Sequence, residues 1–247
     1  MQASIIIRDA VSSVAKLRQL TLDQPVLGRA IHEVKQFQAQ RFTCSYRDLL
    51  ASQHYGPAAQ FFLEELYGDK DYSQRDEQFA RIAGALERVF PAQVVETAVA
   101  LAQLHLLTET LDFDMAEQWA NSRESSDVQR YVHAWASVAR RADRQMQLET
   151  VMKIGTELDK LTRTRGLRLM LKMMRQPAHL AGLSSLQHFL ELGFDTFYAM
   201  GHGSRSENSL HFLNLVQARE AALLEMLFDR DTKTRIQQLS KLMNQHS

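Results

Sequence analysis

The chain contains four prolines, Pro25, Pro57, Pro91 and Pro177, and each stands just ahead of a run whose apolar residues recur every three or four positions. A helix leaves the N–H groups of its first turn unpaired, so a residue lacking that donor is tolerated there and nowhere deeper. The prolines therefore read as helix starts. Signals for strands are missing: there are ten glycines, no Asn-Gly or Asp-Gly hairpin dipeptide and no alternating β-branched run. The expected fold class is all-α, a single compact bundle of about nine or ten helices. Residues 1–247 are expected to form one domain, with a helical extension over 1–22.

The periods place the elements. Ile7, Val11, Val14 and Leu17 share one face of a first helix over about 4–20. After Asp23, a good N-cap, Leu27, Ile31, Val34 and Phe37 mark the second, and a break near Thr43–Ser45 precedes Tyr46–Ser52. Pro57 opens a short helix with Phe61, Phe62, Leu63 and Leu66, stopped at Gly68. Ser73 with Asp76 resembles a capping box ahead of Phe79, Ile82, Leu86 and Val89. Pro91 begins the most apolar helix, over about 92–112, expected to be central and buried. A long helical region runs from Ser126 or Asp127 to about 163 with a break near Asp143, followed by a basic helix at about 165–174. Further helices are expected over about 183–200, 207–228 and 232–243, with Gly201–Ser209 as a polar loop.

Composition bounds the function classes. Hydrophobic residues are 45% and charged residues 23%, ordinary for a folded domain. Basic and acidic residues number 29 each, which argues against general nucleic-acid binding. With Cys44 as the only cysteine, neither an internal disulfide nor a cysteine-based zinc site can form. No apolar run is long enough for a membrane span. The N-terminal Ile5–Ile7 stretch is too short for a signal-peptide core, so a cytoplasmic location is expected.

Two places gather polar residues. His105, Thr108, Glu109 and Asp112 lie at i, i+3, i+4 and i+7, on one helix face. His105 with Glu109 could co-ligate a metal or act as an acid/base pair; the plainer reading is a solvent edge or a satisfied buried contact. A di-iron carboxylate site needs Glu-x-x-His from two helices, and that motif is absent. His188-x-x-Glu191 has the reverse order, and Glu207-x-x-x-His211 has no matching second half. The second place is Tyr55–Arg81, where aromatic residues alternate with charges around Gly68. Asp71, Arg75, Asp76 and Arg81 there suit an ion-pair network at a helix corner. Alternatively Tyr67, Tyr72, Arg75 and Arg81 make a surface for a partner or an anionic ligand.

The phrase Phe61-Phe-Leu-Glu-Glu-Leu-Tyr-Gly68 carries a resemblance, together with Met174-Arg-Gln-Pro-Ala-His-Leu-Ala-Gly-Leu183 and Phe189-Leu-Glu-Leu-Gly-Phe-Asp-Thr-Phe197. Over roughly residues 42–228 the chain resembles an uncharacterised all-helical family found in proteobacteria. The resemblance implies a shared fold and a bacterial origin. That family has no established activity, so no catalytic residue carries over.

Charge is unevenly distributed. Residues 61–120 hold twelve Asp/Glu against four Lys/Arg, whereas residues 140–175 hold ten Lys/Arg against four Asp/Glu. Arg163, Arg165, Arg168, Lys172 and Arg175 could form an anion-binding strip; solvated faces explain the same pattern. There is no nucleophile elbow and no phosphate-binding glycine loop, and Gly201-His-Gly-Ser-Arg-Ser206 follows no strand. Cys44 is expected to be a structural thiol. The favoured function is a noncatalytic module that binds a protein partner or forms a homo-oligomer. The alternatives are a small-molecule or haem-binding bundle of haem-oxygenase type, with His32 or His105 as axial ligand, and a metal-dependent enzyme built on His105 and Glu109. No cofactor is otherwise indicated.

Overall fold

The computed structural model describes residues 2–68, 70–201, 208–229 and 231–244. Among them every regular element is a helix, in the order α1 (Gln2–Asp23), α2 (Pro25–Ser45), α3 (Arg47–Leu50), α4 (Gly56–Glu65), α5 (Ser73–Val89), α6 (Ala92–Ala120), α7 (Asp127–Val138), α8 (Arg141–Thr162), α9 (Leu167–Met173), α10 (Arg175–Leu180), α11 (Ser184–Gly201), α12 (Ser209–Leu227) and α13 (Thr232–Asn244). The fold is all-α. Thirteen helices among the described residues exceed the nine or ten expected, because short ones escape a periodicity that needs two turns to register. The glycine-containing loop after Gly201 and Glu207 of the Glu207/His211 pair lie outside the described residues.

The prolines do punctuate helices. Pro25 and Pro57 occupy the first turns of α2 and α4, and the Pro91 carbonyl accepts from Val94 and Val95 at the start of α6. Pro177 is displaced from expectation: α10 opens two residues earlier, at Arg175, and the proline still falls within the first turn. The break expected near Asp143 lies instead at Ala139, whose φ of 48° and ψ of 25° put it in the left-handed region. Its N–H closes α7 onto the Trp135 carbonyl at 3.0 Å, ending the helix without a glycine. Helix α6 continues eight residues past Asp112, because Met115, Ala116 and Trp119 keep a buried face in register beyond its polar stripe.

The chain divides into two compact units. The first comprises Met1–Ala15, Lys70–Leu106 and Thr150–Asn214. Its core joins Ile7 and Ala10 to Ala83, Leu86 and Ala102, with Phe79, Ile82 and Val99 packed against them. Helix α11 lies against α5, where the buried Gln78 side chain accepts from the Leu186 N–H at 2.9 Å. Gly155 gives Leu213 room: a Cβ there would stand 2.6 Å from Leu213 Cδ2.

The second unit comprises Lys16–Asp69, Leu107–Glu149 and Leu215–Ser247. Leu27, Ala30, Val34 and Phe37 of α2 meet Met115, Ala116 and Trp119 of α6, Tyr131, Val132 and Trp135 of α7, and Leu227 and Leu239. Helix α13 packs on α2 and α7. Phe37 stacks on Tyr131 with ring centroids 4.6 Å apart. No described helix is long and apolar enough to cross a membrane.

Candidate functional site

The polar stripe of α6 is divided among separate partners. His105 Nε2 lies 2.9 Å from Asp76 Oδ2, a carboxylate presented by α5 within the first unit. Asp76 therefore does not serve a capping box. The N–H of Ser73 donates instead to Asp71 Oδ1 at 2.9 Å. In the second unit, Lys35 Nζ grips Glu109 through both carboxylate oxygens, at 2.9 and 3.1 Å. Gln38 Nε2 donates to Asp112 Oδ1 at 3.0 Å, and Gln147 Nε2 to Thr108 Oγ1 at 2.8 Å. His105 thus has a carboxylate to orient it, but that carboxylate is Asp76, while Glu109 is held by Lys35. Among the described residues no three His, Cys, Asp or Glu side chains come together as a metal site.

The Tyr55–Arg81 residues are shared between the two units, and each has partners within its own. Arg75 lies over the Tyr72 ring at 4.1 Å and over the Phe189 ring at 4.6 Å, with its Nε 3.8 Å from Asp76 Oδ1. Arg81 is exposed and donates to the Ala181 carbonyl at 3.2 Å. Tyr67 belongs to the other unit, where Arg41 sits 5.1 Å from its ring centroid.

Around Arg41 lies a buried polar network that periodicity had not singled out. Arg41 Nη1 donates to Glu220 Oε1 at 2.5 Å, and the Tyr46 hydroxyl donates to the same oxygen at 2.7 Å. Burial is the largest influence on Arg41 and opposes its charge, but Glu220, Tyr67 and Tyr131 together hold the guanidinium's pKa above its ordinary value. Burial first, then the Glu220 charge, pushes the Tyr46 and Tyr67 hydroxyls up, so both stay neutral. Arg144 lies over the Trp135 ring at 4.5 Å and donates through Nη1 to Gln147 Oε1 at 3.3 Å. A signal for this network did exist. Gln38 and Arg41 fall on the period of Leu27, Ala30, Val34 and Phe37, so two polar residues occupy core positions of α2.

Asp112 is the strained carboxylate of this network. Burial is the largest influence and pushes its pKa up, against the opposing pull of Lys35, Arg144 and the Gln38 hydrogen bond. The folded chain therefore holds a proton on Asp112 at a pH where the unfolded chain has released it. The resulting stability is fully present below the ordinary value of 3.8 and is lost as pH rises through the raised one. Asp112→Asn keeps the acceptor for Gln38 and carries no charge. It is expected to unfold at higher urea than the parent at pH 7, with the difference shrinking as pH falls through the raised value and gone below 3.8. Equal midpoints at pH 7 would contradict the burial effect.

Most of the basic strip is neutralised within the first unit. Arg163 binds Asp159 through two nitrogens at 3.1 and 3.2 Å, Arg168 binds Asp195 at 2.8 Å, and Arg175 binds Glu191 through Nε and Nη2. Asp159 also accepts from the buried Ser209 hydroxyl. Arg165 and Lys172 are exposed. Beside them three apolar side chains face solvent: Leu169 at 63%, Met173 at 66% and Leu180 at 84% of full exposure. The Cys44 thiol lies 3.7 Å from the Met243 carbonyl.

Residues 17–234 match a family model described as a domain of unknown function, DUF8198. No curated protein and no solved structure matches the chain.

Proposed function

Because the chain belongs to the DUF8198 family, a domain of unknown function, its role rests on its own residues, and we propose that residues 1–247 act as one noncatalytic bacterial domain that binds a protein partner. The observation that carries this reading is the face of α9 and α10. Leu169 and Met173 stand one turn apart on α9, Leu180 ends α10, and Met174 between the two helices keeps right-handed helical angles. Large apolar side chains left this exposed in a cluster mark a contact surface more often than a solvated one. Arg163, Arg168 and Arg175 are paired with carboxylates, and the exposed Arg165 and Lys172 are the cations that give the rim of that face its basic character. The complementary occupant is an amphipathic segment with an apolar stripe and acidic flanks. A second copy of the same face would oppose Lys172 and Arg165 to their own kind.

The test is affinity capture from the source cell with the parent chain and with the double variant Leu169→Asp, Met173→Asp. A specific partner is expected to be retained by the parent, to be released by about 0.5 M salt, and to be absent from the variant. Equal recovery on both sinks the proposal. Sedimentation of the purified chain covers the competing case: a parent dimer that the variant makes monomeric would assign the face to self-association.

A further inference from the structure

Three of the chain's ten methionines, Met170, Met173 and Met174, fall within five residues at the end of α9. Met173 is 66% exposed, more than any other methionine among the described residues, and Leu169 stands one turn before it. Met115, Met152 and Met200 are buried, and Met146 on α8, at 49%, is the other exposed one. Helix formation does not call for methionine at position 173. Leucine has nearly the same helix propensity and already stands at Leu167, Leu169 and Leu171 of this helix. What the thioether adds is an adaptable, polarisable surface and a sulfur that peroxide oxidises.

That reaction needs no second group from the protein. The sulfur lone pair attacks one oxygen of hydrogen peroxide, and an S–O bond forms as the O–O bond breaks. The departing hydroxide takes up the proton of the transferred oxygen and leaves as water. Sulfur is thereby oxidised by two electrons and the peroxide reduced by two. Access decides which methionine reacts, because the sulfur must meet the oxidant in solution. At Met173 access comes without opening the fold, so the product is a folded chain with a polar side chain on an apolar face. A sulfoxide oxygen is an acceptor, and pressing it against the apolar stripe of a partner strands it without a donor.

We propose that Met173 is a reversible oxidation site whose conversion to the sulfoxide by hydrogen peroxide closes the α9–α10 face to its partner, a regulation that rests on that face being a contact surface. A thiol-dependent methionine sulfoxide reductase reverses it: two thiols become a disulfide and the oxygen leaves as water.

The probe is 1-anilinonaphthalene-8-sulfonate, an apolar anion matched to an apolar face with Arg165 and Lys172 exposed beside it. Full chains carrying Cys44→Ser, which removes the one competing thiol, are titrated with it before and after dilute peroxide. Peptide mass mapping locates the sulfoxides. The untreated chain is expected to bind saturably, and Leu169→Asp to bind clearly less. Oxidation of Met173 should weaken binding about tenfold, leave the thermal midpoint unchanged and be undone by the reductase. Met173→Leu should bind alike before and after peroxide, Met173→Gln should bind weakly without it, and Met146→Leu should respond as the parent does. Full affinity with Met173 oxidised, an equal peroxide loss in Met173→Leu, or a thermal midpoint that falls with the affinity overturns the oxidation site and leaves the contact face standing. Absent binding, or binding that Leu169→Asp does not weaken, overturns the face and the oxidation site with it.

Discussion

Glu220→Ala is expected to cost about 3–5 kcal/mol of unfolding free energy, the loss typical when one partner of a buried ion pair is removed. Arg41 lies in the core face of α2, 4% exposed, and Glu220 is the carboxylate that balances it. Removing that carboxylate leaves a guanidinium in low dielectric and leaves the Tyr46 hydroxyl only its longer bond, to the Val216 carbonyl at 3.4 Å. Glu220→Gln, which keeps an acceptor but not the charge, should fall between parent and alanine. The double variant Arg41→Met, Glu220→Met should be more stable than Glu220→Ala, because no uncompensated charge remains. Urea unfolding of the four chains measures this. A Glu220→Ala midpoint within error of the parent would show that the pair contributes nothing.

Trp119→Ala is expected to lose about 3–5 kcal/mol as well, for a different reason. The indole is almost fully buried among Phe37, Met115, Tyr131 and Leu227, and its deletion leaves a void that helices fixed by other contacts cannot close. The Arg130 guanidinium 4.2 Å from its ring and the Glu33 hydrogen bond are lost with it. Trp119→Phe keeps most of the volume and should cost clearly less. Small domains have about 5–15 kcal/mol to lose, so the alanine variant should show a lowered thermal midpoint and reduced soluble yield. A midpoint no lower than that of Trp119→Phe would contradict the packing account.

Helix identity was legible in the sequence because apolar period and proline position report the same local geometry. Pro25, Pro57 and Pro91 head α2, α4 and α6 as their spacing implies. Boundaries set by tertiary contacts were not legible. The end of α7 at Ala139 depends on a left-handed residue that no glycine advertises. Helix α6 outruns its polar stripe because Met115, Ala116 and Trp119 keep a buried face beyond it. The partners of the polar stripe were not legible for the same reason. A face shared at i and i+4 suggested His105 with Glu109, but Asp76, 29 residues away, is the group that meets the imidazole. Lys35 to Glu109 and Arg41 to Glu220 are pairings across 74 and 179 residues, beyond the reach of any helical period. What could have been read is the cost: Arg41 and Gln38 on the buried period of α2 demand partners somewhere in the chain.

Each compact unit draws on three separated stretches of chain, and this bears on how the protein is made. Leu27, Val34 and Phe37 are synthesised early, but Leu227 and Leu239, which complete their core, emerge some two hundred residues later. At ribosomal rates that gap is on the order of 10–40 s. Through that interval the apolar face of α2 has no α13 to cover it. Neither unit can be released by trimming one end of the chain, and a nascent chain stalled before residue 215 lacks the last third of the second unit's segments. That long-range completion, rather than early local folding, exposes the α2 face to non-native association while the rest of the chain is made.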